Sequence, residues 1–486
     1  FQGGGGVGAF SRWCTLQWFV CGCVCVNVLG HGCVMGYPAT LLPALASGHG
    51  GLTADNEQAS WIASVMGVSM LLGNFATPPI MERWGRRAAH LAVIVPAMAG
   101  WLLTVTATSM IICARTLHGF SVGMLMPLRS LLVAEYSSPR RRGALLAAVT
   151  LSQAAGILLV HATGTALSWR RTALLSMCFP FVSLLMTLYC PESPSWLAAN
   201  GKYQQCRDAY RWLRGDEEQE ELEEMLAAAR MLQQSKGSAR RSLRCTVARK
   251  EFYKPIIIMW HAYLMVQYAG GTTMATYSTR IIALLLGDAA DAHFWMIALD
   301  AQRLAINAAA CVLMDKCTRR GILFATGALC VASHVAISLY LMYKDAMSRA
   351  GLWLPVVLLN LQFASVAAGM IPLPGVLAGE LFPLDGCAMA SSVSVVSLAF
   401  WLFVVLKTFP GLVALVGLSG TYLLHAAILS YCLLVLACSL PETRGRTLQQ
   451  IEAHFRGATA APLEPHDLPM SYKRKVSERR CSIPLL

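Results

Sequence analysis

ERWGRR, residues 82–87, separates two long apolar runs, and DKCTRR, residues 315–320, separates two more. Each stretch puts an acid first and two arginines last, and the second follows the first by 233 residues. Two further echoes keep the same order. Glu135 followed by Arg142-Gly143 is matched 245 residues on by GELFP around Glu380. PESPSWL at 191 is matched 250 residues on by PETRGRT at 441. Three echoes in one order, at nearly one spacing, indicate a duplicated unit.

The apolar runs say what is duplicated. Of 486 residues, 56% are hydrophobic and 13% charged, with a mean hydropathy of +0.53. A soluble domain carries about 25% charged residues. Runs of about 20 apolar residues are long enough to cross a bilayer. Twelve are expected, at 14–42, 60–80, 88–108, 110–133, 143–167, 172–190, 255–285, 293–314, 321–343, 352–378, 388–410 and 416–440. This is an all-α membrane protein of two six-helix bundles.

The net charge of +13 reads as topology rather than nucleic-acid binding. Lysine and arginine crowd into 82–87, 138–143, 192–254, 315–320 and the tail after Pro441, whereas 43–59 and 286–292 contain none. Positive loops stay inside, which puts both termini and the central loop in the cytoplasm. The expected organisation is a disordered tail at 1–13, bundles at 14–190 and 255–440, a helical linker at 191–254 and a cytoplasmic tail at 441–486. Within the linker, Leu222, Met225, Leu226, Ala229 and Leu232 recur at helical spacing, so an amphipathic helix is expected there. The 17 cysteines show no ligand spacing and read as small buried hydrophobes.

These motifs, with RTLHGFSVG (115–123), PESPSWLAANGKY, KTFP (407–410) and NEQASWIAS (56–64), resemble the sugar-porter branch of the major facilitator superfamily over residues 25–455. The likeness is greatest to its insect trehalose-transporter-like group. It implies that paired charges at the cytoplasmic ends of the helices form gates. In the first half these are Glu82, Arg83, Arg86, Arg87, Arg115, Glu135, Arg142 and Glu192. In the second they are Asp315, Arg319, Arg320, Glu380 and Glu442. The second half departs from the pattern. Cys387 stands where an arginine would follow Glu380, and Thr318 replaces the glycine of the basic loop. Glu380 is therefore expected to rely on Arg319 or Arg320, in a looser gate.

The resemblance also implies a solute site at mid-depth, from Thr150, Gln153, Gln267, Thr272, Thr273, Tyr277 and Arg303, with Met274 and Thr276 beside them. Several partners usual for a sugar are replaced: Thr150 and Thr272 stand for Gln and Asn, and Gly375 and Ala399 for tryptophans. Asp300 and Arg303 lie three apart on one helical face inside the membrane and are expected to pair. His161, His261, His334 and His425 each stand alone in apolar sequence and are read as packing residues. The first span holds no Asp or Glu, which favours facilitated diffusion over proton coupling.

Three functions fit these residues. The one carried forward is facilitated diffusion of a hexose or trehalose by alternating access at the plasma membrane. The same fold moving a glycoside, pigment precursor or organic anion is the alternative, and a non-transporting sensor the third. No Walker loop, metal cluster or nucleophile–base pair points to an enzyme. The implied partners are a small-molecule solute and the lipid bilayer, with no cofactor, metal or nucleic acid.

Overall fold

The structure, a computed structural model, describes residues 6–48, 53–106, 108–137, 142–214, 219–235, 250–287, 291–344, 353–382, 387–444, 446, 450–451 and 454–455. Among the described residues, ten helices are long and apolar enough to cross a membrane. One of them holds two spans, and a helix broken in its middle supplies another.

Span 1 runs through Gly6–Gly36 and Pro38–Ala46, span 2 is Asn56–Trp84, span 3 Arg86–Thr106 and span 4 Ile111–Tyr136. Span 5 is Arg142–Ala166 and span 6 Trp169–Tyr189. Span 7 comprises Lys250–Tyr268 and Gly271–Leu286, span 8 is Ala292–Lys316 and span 9 Arg319–Tyr343. Span 10 runs through Trp353–Ser365, a π-helical segment Val366–Met370 and Pro372–Glu380. Spans 11 and 12 share the helix Cys387–Ser439 and reverse at Gly417, whose φ is 72°. The helix that carries span 1 begins at Gly6, so residues 6–13, expected as a disordered tail, are helical ahead of the apolar span that starts at Leu16.

Local chemistry marks the helix starts. Asp55 accepts from the Gln58 N–H at 2.7 Å, Asp291 from the N–H groups of His293 and Phe294, and Thr318 from that of Gly321. Each satisfies donors that a helix start leaves open.

Large apolar side chains such as Leu72, Val95, Leu102, Leu415 and Leu434 stay more than half exposed. That is how a bundle meets lipid rather than water. Between helices, backbones approach closely instead. A Cβ on Gly123 would lie 2.1 Å from the Met70 carbonyl, and one on Gly119 2.4 Å from that of Met66. The glycines of RTLHGFSVG therefore seat span 4 on span 2.

The central segment forms three helices, Pro194–Ala199, Tyr203–Arg214 and Gln219–Ser235. They enclose a small core of their own around Trp196, Cys206, Tyr210, Leu222 and Leu226. The apolar stripe of the amphipathic helix thus faces its neighbours. Past Pro441, Ile451 and Phe455 are buried against span 7, where Lys254 donates to the Phe455 carbonyl at 3.5 Å.

Candidate functional site

At the basic end, each half builds one latch. In the first half Gly85 ends span 2 with φ 94°, and span 3 starts at Arg86. Arg86 reaches Glu135 of span 4 through Nε, at 3.0 and 3.2 Å, and through Nη2 at 2.9 Å. Its Nη1 donates to the Met81 carbonyl. Ser193 Oγ donates to the other side of Glu135. Glu192 accepts the backbone N–H groups of Arg86 and Arg87 at the start of span 3. The carboxylate occupies a helix N-terminus, where open donors and the helix dipole favour an anion.

The second half repeats this plan. Arg319 reaches Glu380 through Nη2 at 2.9 Å and Nε at 3.4 Å, and its Nη1 donates to the Met314 carbonyl. Thr443 Oγ1 donates to Glu380 at 2.6 Å. Glu442 accepts the N–H groups of Arg319 and Arg320 at 3.0 and 3.1 Å. Burial alone would raise the Glu442 carboxyl. The backbone N–H groups of Arg444, Arg320, Arg319 and Thr443 outweigh it and hold the group below its usual range.

Each latch therefore ties spans 2, 3, 4 and 6, or their counterparts, within one half. Glu380, which lacks a local arginine, has found Arg319. The remaining residues expected at the gates are placed differently. Arg83 lies against the Trp84 ring at 5.2 Å, and Glu82 offers its backbone carbonyl to Trp196 Nε1. Neither makes an ion pair among the described residues. Arg87 and Arg320 cap the carbonyls of Leu188 and of Leu440 and Ala437. The side chains of Arg142 and Asp315 lie outside the described residues.

Arg115 corrects an expectation. It is not at the basic end. Span 4 enters at Ile111 from the far end, so Arg115 sits one turn in, about 30 Å from Glu135 by helix rise. Fully buried, its guanidinium donates to the carbonyls of Val34 at 2.7 Å and Ile62 at 3.1 Å. It pins spans 1, 2 and 4 together.

The halves meet along two seams, span 5 against span 8 and span 2 against span 11. Toward the far end both are bridged. Lys407 of span 11 donates to Ser60 Oγ of span 2 at 2.8 Å and stands over the Trp61 ring at 4.1 Å. On the other seam His161 Nδ1 meets Asp300 Oδ2. This overturns two expectations. Asp300 takes its partner from the opposite half rather than from Arg303, and His161 does not stand alone. Arg303 is buried beside Asp300, with Nε and Nη1 lacking hydrogen-bond partners among the described residues. A helical face permits an i, i+3 pair but does not enforce one when a neighbouring helix presents a better donor. His334 and His425 also have company, with ring centroids 6.2 Å apart, and His334 meets the Gln362 amide at 3.2 Å. His261 contacts Tyr431.

The residues expected to bind solute fall in separate places. Thr276 and Tyr277 line a cavity of about 420 Å³ at the far end, with Leu42, Pro43, Arg280 and His293. The Tyr277 hydroxyl donates to the Leu406 carbonyl at 2.9 Å. Gln153 lines a small space deeper in, with His31, Met35 and Arg129. Its Oε1 accepts from Arg129 at 3.1 Å. Thr273 faces Gln362, His334 and Tyr422 inside the second half. Thr150 bonds back to its own helix, to the Leu146 carbonyl, and Thr272 is half-buried.

Span 7 breaks at Gly270, in the left-handed region at φ 94°. The Ala269 carbonyl there accepts from Gln362 Nε2 at 3.2 Å. A Cβ on Gly270 would lie 2.6 Å from that same nitrogen, so only glycine fits. Just before the break, Gln267 is buried with Oε1 unpartnered among the described residues, as are Asn307 Oδ1 on span 8 and Gln362 Oε1 on span 10. Sequence reading passed over Arg129, a cation in the interior of span 4. An intramembrane charge is itself a signal that it lines a cavity.

The "Sugar (and other) transporter" family matches residues 30–455. The facilitated trehalose transporter Tret1 of the honeybee Apis mellifera ligustica is 29% identical over 432 residues, covering 87% of this chain and 86% of that protein. The mouse solute carrier family 2, facilitated glucose transporter member 8, is 27% identical over 452 residues, covering 88% and 92%. Among solved structures, the proton:xylose symporter XylE bound to 6-bromo-6-deoxy-D-glucose superposes with a TM-score of 0.74 at 18% identity, covering 91% of this chain and 99% of that one. An inward open conformation of XylE from E. coli gives 0.73 at 17%, covering 90% and 99%. At such identities the structures speak for the fold alone, which is the twelve-helix arrangement of the major facilitator superfamily.

Proposed function

The chain belongs to the sugar transporter family, a multi-pass membrane protein, and we propose that it carries a hexose or trehalose down its gradient by alternating access. In this reading residues 14–190 and 255–440 rock against each other. The basic end, with both termini, faces the cytoplasm and the far end faces outward across the plasma membrane. The far-end bridges open when the solute enters from outside.

One observation carries the reading. Spans 7, 8 and 10 bury polar atoms without partners among the described residues: Gln267 Oε1, Asn307 Oδ1, Gln362 Oε1 and Arg303 Nε and Nη1. A buried polar atom without a partner costs about 1–3 kcal/mol. A solute rich in hydroxyl groups supplies the missing partners and recovers that energy. Gln153, Thr150, Thr272, Thr273 and Tyr277 are the further candidates to meet it.

The test is uptake of labelled glucose and trehalose into proteoliposomes. Gln267→Ala is expected to raise KM about tenfold, the equivalent of one good hydrogen bond. No uptake of either sugar by the parent would remove the substrate assignment. Uptake with an unchanged KM would remove Gln267 from the site.

A further inference from the structure

His161 is 1% exposed and surrounded by acceptors. Its Nδ1 meets the Asp300 carboxylate of span 8. Its Nε2 lies 3.1 Å from the Gly36 carbonyl of span 1 and 3.2 Å from the Ala275 carbonyl of span 7. A Cβ on Gly36 would come within 3.0 Å of that Nε2, so the glycine makes room for the contact. A neutral imidazole has one N–H and one bare lone pair. In either tautomer the lone pair would face oxygen acceptors. The conflict disappears when the His161–Asp300 unit holds one proton more than a neutral imidazole and a carboxylate together. Both ring nitrogens then donate, or the carboxyl donates to Nδ1.

We propose that His161 and Asp300 form a proton-binding site across the seam, filled as the outer ends of the two halves close and emptied to the outer solution as they part. It rests on the orientation and alternating access proposed above. His161 and Gly36 belong to the first half, Asp300 and Ala275 to the second. Opening the seam takes the carboxylate and one carbonyl away from the ring and admits water. An imidazole in water gives up its proton at about pH 6.5.

The charged groups on the packed helices are few. Arg303 lies beside Asp300 on span 8. Arg115 on span 4 has its donors engaged with the carbonyls of Ile62 and Val34. The hydroxyls of Tyr37 on span 1 and Tyr277 on span 7 donate elsewhere, to the carbonyls of Trp169 and Leu406. Three oxygen acceptors face the one ring. Because the proton enters and leaves on one side, no net proton crosses with the sugar. External acid instead holds the outer seam shut.

The full chain in lipid nanodiscs provides the test. Hydrogen–deuterium exchange of the outer ends of spans 5 and 8 is compared at pH 5.5 and 7.5, with exchange times scaled for intrinsic chemistry. The parent is expected to exchange at least about fivefold more slowly at the lower pH. Asp300→Asn is expected to lose that difference, and so is His161→Gln, whose amide still donates to Asp300. This readout needs no solute, so a failed sugar assignment leaves it standing. In proteoliposomes, glucose equilibrium exchange should slow with external acid and ignore internal acid. Protection that is independent of pH in the parent overturns the site. So does a pH effect that survives in both variants. Accumulation of sugar driven by an inward proton gradient overturns the one-sided circuit.

Discussion

The two latches at the basic end share a plan and differ in their turns. In the first, Gly85 swings the chain at φ 94°, and Arg86 grips Glu135 with three contacts of 3.2 Å or less. In the second, Thr318 makes the turn at φ −70° and caps the next helix through its own hydroxyl, and Arg319 grips Glu380 with contacts of 2.9 and 3.4 Å. The carboxylates also differ in shelter, with Glu135 10% exposed and Glu380 26%. Loss of a motif glycine thus changed the backbone route without dissolving the latch. The helix-start carboxylates, Glu192 and Glu442, hold the following helix in both halves by the same pair of N–H groups. The difference teaches that the latch is specified by its anions, and the turn only has to deliver an arginine to them.

The largest separation between the latches is expected from removing each arginine. Arg86→Ala leaves a well-sheltered carboxylate with Ser193 as its remaining side-chain donor, which is expected to cost about 2–3 kcal/mol. Arg319→Ala leaves a carboxylate that water already reaches, and about 1 kcal/mol is expected. Thermal unfolding in nanodiscs gives the order. An equal or larger loss from Arg319→Ala would mean that shelter does not set the strength of the latch.

The turns come next. A Cβ on Gly85 would lie 2.3 Å from Glu192 Oε2, on a backbone at φ 94° and ψ −179° that costs an L residue about 1–3 kcal/mol. Gly85→Ala therefore strains the turn and displaces the helix-start carboxylate together. Thr318→Ala removes one cap, at about 1 kcal/mol. The same melts should rank Gly85→Ala well above Thr318→Ala. A harmless Gly85→Ala would show that the turn is free to adopt another route.

Much of this was readable before any coordinates. Twelve apolar runs, the alternation of basic and neutral loops, and three repeated motifs lead to the spans, the halves and the latch anions. What escaped depends on which helix lies beside which. Asp300 has Arg303 three residues away, yet its partner is 139 residues distant on another span. Periodicity gives the face a residue occupies and leaves open the helix that faces it. Arg115 is different, since orientation alone places it at the far end of span 4. There the motif's reputation for gating outweighed a count along the helix. Gly270 is the opposite case. Gly270 and Gly271 stand side by side in a membrane run, where weak backbone signals a break, and the structure adds the Gln362 amide that bonds the Ala269 carbonyl there.

The smallest effect is expected where the resemblance suggests the largest. Cys387 stands where an arginine would normally follow Glu380, and its absence suggested a weak second latch. Glu380 already receives Arg319 Nη2 at 2.9 Å and Thr443 Oγ1 at 2.6 Å. A second cation would therefore join an anion whose near lone pairs are engaged, in a place water reaches. Exposed pairs of that kind contribute about 0–1 kcal/mol. Cys387→Arg is expected to shift the unfolding midpoint by less than Thr318→Ala does, and to leave the rate of sugar exchange within about twofold of the parent. A rise in stability comparable to the loss from Arg319→Ala would show that Glu380 is underbound, and that the two latches differ in anion pairing after all.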